Sequence, residues 1–537
     1  MNLGIGLGIT NYQGVPTVPL DPDQVIADLF DAGGGTFYEG AWYDPSDLTT
    51  LYQDAAGTTP VTGTGQPVGL MLDKSKGLTL GSELVTNGTF DTAADWTLGT
   101  GWSIGSGIAT KSPGTGSNLQ QTYSFVVGKW YKLTFDVLRR DNGAMQIQIG
   151  GGTALSVTGF VSWSTGTHSV YFTPNSGNNL LRFIAGSTFD ADIDNVSLKE
   201  LPGNHATQST STARPTLQVT GTTPATLGSE LVTNGTFDAN VSGWTVAGSA
   251  TVTWDSDDGG AALVDITGPG GGIVDDQVIP VTAGKTYKVT ARIRAGTYTN
   301  VLVWSMAGST ITFTPSASYT EITRYITASS SDLSFAITRG AGLTGSFYVS
   351  NITVKEVLTW ADPKYYLDFD GVDDRMVASF ASVVNRPADI AIAWNRDVTA
   401  SGYIYNGATS NGRLFLSTLN NPPRAIQIGN YDATTGAAGN WEDSATSGVV
   451  DAVVTARFTT TSPYRALRIN GSAASVIFNA GASGGNSWDG ITLGSSYTFG
   501  AYSNVNIYGY VGVNRNLTAG EIDDVEAYLA AKSGVTL

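Results

Sequence analysis

Residues able to do covalent or metal chemistry are scarce in this chain. Its 537 residues include no Cys and two His, His168 and His205. Thiolate catalysis, disulfides and Cys-based zinc sites are therefore excluded, and a His cluster or His-centred triad has almost no material. Carboxylates are plentiful but badly placed for glycoside cleavage, which takes two of them flanking one bond. "WEDS" (441–444) has no second Glu, and "DFDGVDD" (368–374) reads as a strand, a turn at Gly371 and another strand. The Gly-rich "GPGGG" (268–272) leads into a strand pattern and not a helix, so a phosphate cradle is not expected. What remains is non-covalent chemistry. Indole rings, amides and guanidinium groups can stack and hydrogen-bond without making or breaking a covalent bond. The expectation is a binding protein without catalysis.

Strands of period two position those groups. Tyr131, Leu133, Phe135 and Val137 share one face, with Trp130, Lys132, Thr134 and Asp136 on the other. Met145, Ile147 and Ile149 alternate with Gln146 and Gln148. Further on, Tyr287, Val289, Ala291 and Ile293 alternate with Thr286, Lys288, Thr290 and Arg292, and Val301 and Val303 with Leu302 and Trp304. In each case the first-named set is expected in the core.

These strands belong to a duplicated unit. "LGSELVTNGTFD" stands at 80–91 and again, unchanged, at 227–238. "VVGKWYKLTFDV" (126–137) answers "VTAGKTYKVTARI" (281–293), and "DNVSLKEL" (194–201) answers "SNITVKEV" (350–357). So long a period marks a domain duplication and not a solenoid. The order of these motifs resembles the carbohydrate-binding jelly-roll modules attached to xylanases and cellulases. That resemblance implies a sugar-holding outer face carrying Trp130, Gln146 and Gln148 in the first copy, and Arg292, Arg294 and Trp304 in the second. The competing reading packs the two Trp under loops or against a neighbouring domain. The same resemblance implies a structural calcium in the first copy, with Asp192 and Asp194 as ligands and Glu83 or Asp91 as partners. The second copy has Ser350 and Asn351 at the closing-strand positions, which puts a site there in doubt.

With both copies deleted, "YDPSDLTTLYQDAAGTTPVTGTGQPVGLMLDKSKG", "NHATQSTSTARPTLQ" and "KYYLDFDGVDDRMV" read as one segment. It resembles a stretch of phage and prophage virion proteins that leads into a concanavalin-like (laminin-G-like) β-sandwich, and "YGYVGVNRNLTAGEIDDVEAYLAAKSGV" resembles that family's closing strand and terminal helix. Thr518 with Glu521 makes a capping box, Ile522, Val525 and Leu529 an apolar stripe, and Gly534 the stop. The expected fold is all-β: three β-sandwich domains, one discontinuous, with an N-terminal arm and one C-terminal helix. The domains are 1–39 (arm, with a short helix near Pro22–Phe30), 40–77 with 203–221 and 360–537 (lectin-like framework), 78–202 (first copy) and 222–359 (second copy). A jelly roll's first and last strands lie side by side, so such a module can be spliced into a loop without stretching its surroundings.

Composition agrees. Gly is abundant (67 residues) and only 14% of residues are charged. A net charge of −17 argues against binding nucleic acid through its phosphates. The N-terminus lacks the basic, apolar pattern of a secretory leader, and no stretch is apolar enough to insert in a membrane. The expected role is a phage virion surface protein: a fibre, spike or decoration protein. It would join other virion proteins through the arm and present lectin-like modules to host-cell polysaccharide, as a homo-oligomer, with a trimer the guess from fibre proteins as a class. Alternatives are a purely architectural decoration or baseplate protein and a secreted polysaccharide-binding accessory protein.

Overall fold

The computed structural model describes residues 21–220, 224–306, 309–329, 331–339, 344–360, 362–396, 402–409, 413–418, 426–432, 437–444, 451–474, 476–479, 487–498 and 500–537. They form antiparallel sheets and two α-helices, Pro22–Asp28 and Ala519–Ser533. The chain divides into two compact units, one running to Val219 and resuming at Lys364–Leu537, the other Thr220–Pro363.

In the first unit a ten-stranded and an eight-stranded sheet enclose one core, which includes Tyr43, Leu51, Trp394, Trp488 and Tyr510. Strands from three separate stretches of sequence share these sheets. Leu70–Met71 pairs with Ala206–Thr207, which pairs with Met376–Asn385, and Gly40–Tyr43 lies along Asn504–Val513. The terminal helix covers the eight-stranded sheet, burying Val525 and Leu529 among Ala391, Ala393, Val453 and Val511. Its capping box and its left-handed stop at Gly534 (φ 81°) are present.

Over residues 22–30 the N-terminal arm packs on its own framework, while 31–38 are exposed. The helix Pro22–Asp28 is capped by Asp21 and starts at Pro22. Its Ile26, with Leu29 and Phe30, is buried in the cluster that holds the terminal helix. Lys74 Nζ reaches Asp23 at 2.7 Å and Arg515 Nε donates to the Leu29 carbonyl at 3.1 Å. The stretch has enough apolar surface to dock on its own framework. Residues 1–20 lie outside the described residues.

The first copy is a sandwich of two five-stranded sheets, and the second, described by itself, pairs a six-stranded with a five-stranded sheet. The repeated dodecapeptide does the same structural work in each. Glu83 accepts from the backbone N–H of Leu84, Val85 and Leu198, and Glu230 from Leu231, Val232 and Val354, so one carboxylate ties the first strand to the last. Trp96 and Trp244 donate to the carbonyls of Asn87 and Asn234. A Cβ on Gly88 would sit 1.9 Å from the Val196 oxygen, and one on Gly235 2.0 Å from that of Ile352. Backbone geometry accounts for the shared Glu and Gly of the repeat.

Where the first copy leaves and rejoins the framework, Gly81 N donates to the Glu200 carbonyl at 2.9 Å, so the two ends are adjacent. Asp73 holds this junction. Its buried carboxylate accepts from Trp42 N, Ser75 N, Ser75 Oγ and Asn204 N at 2.7–2.9 Å. Asp73 N in turn donates to His205 Nδ1 at 2.9 Å. Burial pushes the His205 imidazole down from 6.5 to about 3. An unfolded chain takes up a proton at His205 as pH falls through 6.5, whereas the folded chain refuses it until about pH 3. Stability from this residue is therefore full above pH 6.5 and declines below it, by ~1.4 kcal/mol per pH unit. Burial raises the Asp73 carboxyl and gives an opposite sign in its own range. The difference between the wild type and His205→Gln, in denaturant titrations from about pH 7 to pH 5, isolates the histidine. A wild-type slope no steeper than the variant's would refute this assignment.

Candidate functional site

The outer face of one sheet in the first copy gathers groups of the expected chemistry. The sheet runs Leu155–Ser156, Met145–Gly150, Leu180–Ala185, Ser117–Thr122, Thr97–Leu98. Met145, Ile147, Ile149, Leu181, Phe183 and Leu119 point inward and are buried. By alternation Gln146, Gln148, Arg182, Ile184, Asn118 and Gln120 face out, all half-buried. Gln148, Arg182 and Gln120 stand in one cross-strand row. Arg182 Nε donates to Gln120 Oε1 at 3.1 Å and its NH1 to Gln148 Oε1 at 3.2 Å. The next row is Gln146, Ile184 and Asn118. At the end of this face lies Phe160, 57% exposed, beside Gly186, where a Cβ would meet its ring at 3.9 Å. Val161, next to it, exchanges backbone hydrogen bonds with Met145 and turns inward.

Gln146 and Gln148 are therefore brought together on an open face. Gln120, Arg182 and Phe160 join them and were not singled out from the sequence. "LLRFIA" (180–185) is apolar at both parities and "SNLQQT" (117–122) holds one apolar residue, so period two carries little signal for the first two. Phe160 follows no strand pattern and had none.

Trp130 is corrected. It is 8% exposed and belongs to the junction with the framework, packed with Leu70, Leu72, Tyr171 and Leu201 and edge-on to His205 at 5.1 Å. Its strand face is the outer one, as alternation requires, but the framework covers it. The reading that packs this Trp against a neighbouring domain is the one the structure supports.

Trp304 is corrected too, at 0% exposure in the core of the second copy. Leu302, Trp304 and Met306 point inward while Val303 and Ser305 face out, the reverse of the expected parity. Both sets begin apolar, so hydrophobicity alone does not choose between them. Burying the larger Leu, Trp and Met removes more surface from water. The outward positions of that sheet, corresponding to the glutamine face of the first copy, include Val303, Ser305, Thr310, Thr312, Ala336, Thr338, Val274 and Thr245. They offer neither ring nor charge.

Arg292 and Arg294 lie on the other, six-stranded sheet, on Thr286–Ala295. Arg292 NH1 reaches Asp258 Oδ2 at 2.5 Å, and Arg294 Nε reaches Asp257 Oδ2 at 2.5 Å with its guanidinium 3.7 Å from the Tyr348 ring centroid. Ser350 Oγ and Tyr319 also donate to these carboxylates. The two arginines brace the 257–259 turn on the sheet and are not beside Trp304.

The four proposed calcium ligands are not gathered. Glu83 is engaged with Ser197 and Leu198, three to six residues along the strand from Asp194 and Asp192, on the order of 10–20 Å at strand spacing. Burial raises its carboxyl, but Ser197 and three backbone N–H groups more than offset this and leave it below the usual range. Asp192 pairs with Arg139, at 2.8 and 3.2 Å, which holds its carboxyl low. Asp194 accepts from Asn195 N, and Asp91 from Thr89 Oγ1. Among the described residues one carboxylate trio, Asp370, Asp373 and Asp374, has oxygens within 4.8 Å of one another. It belongs to the expected turn at Gly371 (φ 77°), where Asp370 Oδ1 accepts from Val372 N and Asp374 Oδ2 from Asp370 N. Burial, with the charges of Asp370, Asp373 and Asp368, pushes the Asp374 carboxyl up to about 6 against the hydrogen bond from Asp370 N.

Residues 229–340 match the family model of a carbohydrate binding domain, CBM_4_9. The second copy thus carries a carbohydrate-binding domain. No curated protein matches the chain. Among solved structures, it is similar to the CBM22-1–CBM22-2 tandem domain of Paenibacillus barcinonensis Xyn10C, at 11% identity, TM-score 0.21, covering 52% of this chain and 99% of that one. It is similar also to the CBM22-1–GH10 modules of a Clostridium thermocellum endo-1,4-beta-D-xylanase complexed with xylohexaose, at 19% identity and TM-score 0.21. There it covers 24% of this chain and spans 28% of the xylanase chain.

Proposed function

We propose that the chain is a non-catalytic glycan-binding protein of a phage virion surface, and that the glutamine face of the first copy is its sugar-holding site. The observation that carries the sugar reading is the row Gln120–Arg182–Gln148, with Gln146 beside it and an exposed Phe160 at its end. Amides and a guanidinium meet hydroxyls, and a ring meets the CH face of a sugar. The family match of the second copy supports the ligand class, because the two copies share a scaffold built on the same twelve residues. The virion setting is supported by the resemblance of the framework segments, with other virion proteins and host polysaccharide as partners and a homo-oligomer giving avidity. The plain outer face of the second copy favours an architectural part for that copy.

The test is retention of the purified chain on a bacterial polysaccharide panel and on whole cells. Phe160→Ala combined with Arg182→Ala is expected to weaken retention at least about tenfold, equivalent to ~1.4 kcal/mol, with an unchanged melting curve. Equal retention of wild type and variant would remove this face from consideration.

A further inference from the structure

Resting on that reading, we infer that the glutamine face of the first copy selects acidic glycans, those bearing a uronate-type carboxylate, over neutral ones. A guanidinium can only donate hydrogen bonds, so the amide groups flanking it must turn their oxygens toward it. Gln120 and Gln148 do so, each through Oε1. Each oxygen spends one lone pair on Arg182, and their Nε2 groups are left as donors. None of these three side chains has a further hydrogen-bond partner among the described residues. The NH2 group and the second NH1 hydrogen of Arg182 remain free as well. The centre of the face thus presents donors on a flat cation.

The cation is also positioned. A Cβ on Gly150 would lie 2.5 Å from Arg182 Cζ, so the guanidinium rests over the bare backbone of the neighbouring strand. A planar group held from both sides with an open edge is what binds a carboxylate through two parallel bonds. No carboxylate on the strands of its own sheet neutralises it. The chain has 45 acidic residues against 28 basic ones, yet none of the five strands of this sheet contains Asp or Glu. A neutral sugar can also donate here, to Gln146 Oε1, whose Nε2 is taken by the Thr158 carbonyl, but its hydroxyls bring no charge to pair with the guanidinium. A carboxylate, which only accepts, can take the free NH1 and NH2 hydrogens in two parallel bonds and adds the opposite charge.

The experiment takes the full chain against alginate, polygalacturonate and hyaluronan, each paired with its own carboxyl-reduced form, with neutral xylan and dextran alongside, by affinity electrophoresis at low and high salt. The inference expects at least one acidic polymer to be retained, its reduced form to bind at least about tenfold more weakly, and added salt to weaken the acidic complex. Arg182→Lys keeps the charge but loses the fork and should lose most of the retention. Arg182→Gln should bind acidic and reduced forms alike. Melting curves matching wild type establish that both variants are folded. Equal retention of acidic and reduced forms, or of neutral polymers alone, overturns acid selection and leaves glycan binding standing. Retention of no polymer in the panel overturns both.

Discussion

Replacing Trp304 by Ala is expected to destabilise the second copy by about 3–5 kcal/mol, the range for removing a large ring from a packed core. The indole is fully buried, 5.4 Å from the Phe335 ring, among Leu302, Met306 and Ile337. Arg324 lies 5.5 Å from the same ring and donates to the Trp304 carbonyl at 3.0 Å, so the wall beside the ring is also polar and positioned. A domain stable by about 5–15 kcal/mol loses a large part of its margin. Trp304→Phe should be far milder, because it keeps most of the apolar volume and discards an indole N–H that has no partner among the described residues. Urea unfolding followed by circular dichroism measures both. If the Ala variant kept its unfolding midpoint and lost only glycan retention, the ring would be a ligand platform and the assigned core would be wrong.

The second large effect is expected at Asp73. Alanine there leaves the N–H groups of Trp42, Ser75 and Asn204 without their acceptor in a site closed to water. Each orphaned buried donor costs about 1–3 kcal/mol, so the sum is on the order of 3–6 kcal/mol with partial relaxation. The three donors come from the first framework strand, the departure of the first copy and its return. The loss should therefore appear locally as well as globally. Limited proteolysis is expected to cut Asp73→Ala near Lys74, Lys76 or Lys199 under conditions that leave wild type whole, alongside a lowered unfolding midpoint. Intact loops with an unchanged midpoint would show that the carboxylate does not hold the junction.

Both predictions concern residues whose role depends on neighbours remote in sequence, and that is where reading the chain by itself reached its limit. The sequence determined what is local or repeated. Alternation at Tyr131–Val137 and Met145–Ile149 specified strands and their buried faces, because polar and apolar positions there are of opposite kind. Thr518, Glu521 and Gly534 specified the terminal helix, because caps act within a turn. The repeated dodecapeptide marked the jelly-roll unit, because Glu83 and Glu230, Gly88 and Gly235 each meet the same backbone demand in each copy. Tertiary structure decided the rest. Leu302–Met306 is apolar at most positions of both parities, and only packing against the opposite sheet placed Trp304 inside. Trp130 lies on an outer strand face that the framework happens to cover. Arg292 and Arg294 find Asp258 and Asp257 across a loop, and Glu83 finds Ser197 rather than the aspartates of the same strand. The row from Gln120 through Arg182 to Gln148 comes from three strands brought into register by the sheet, a distance in sequence that no spacing rule spans.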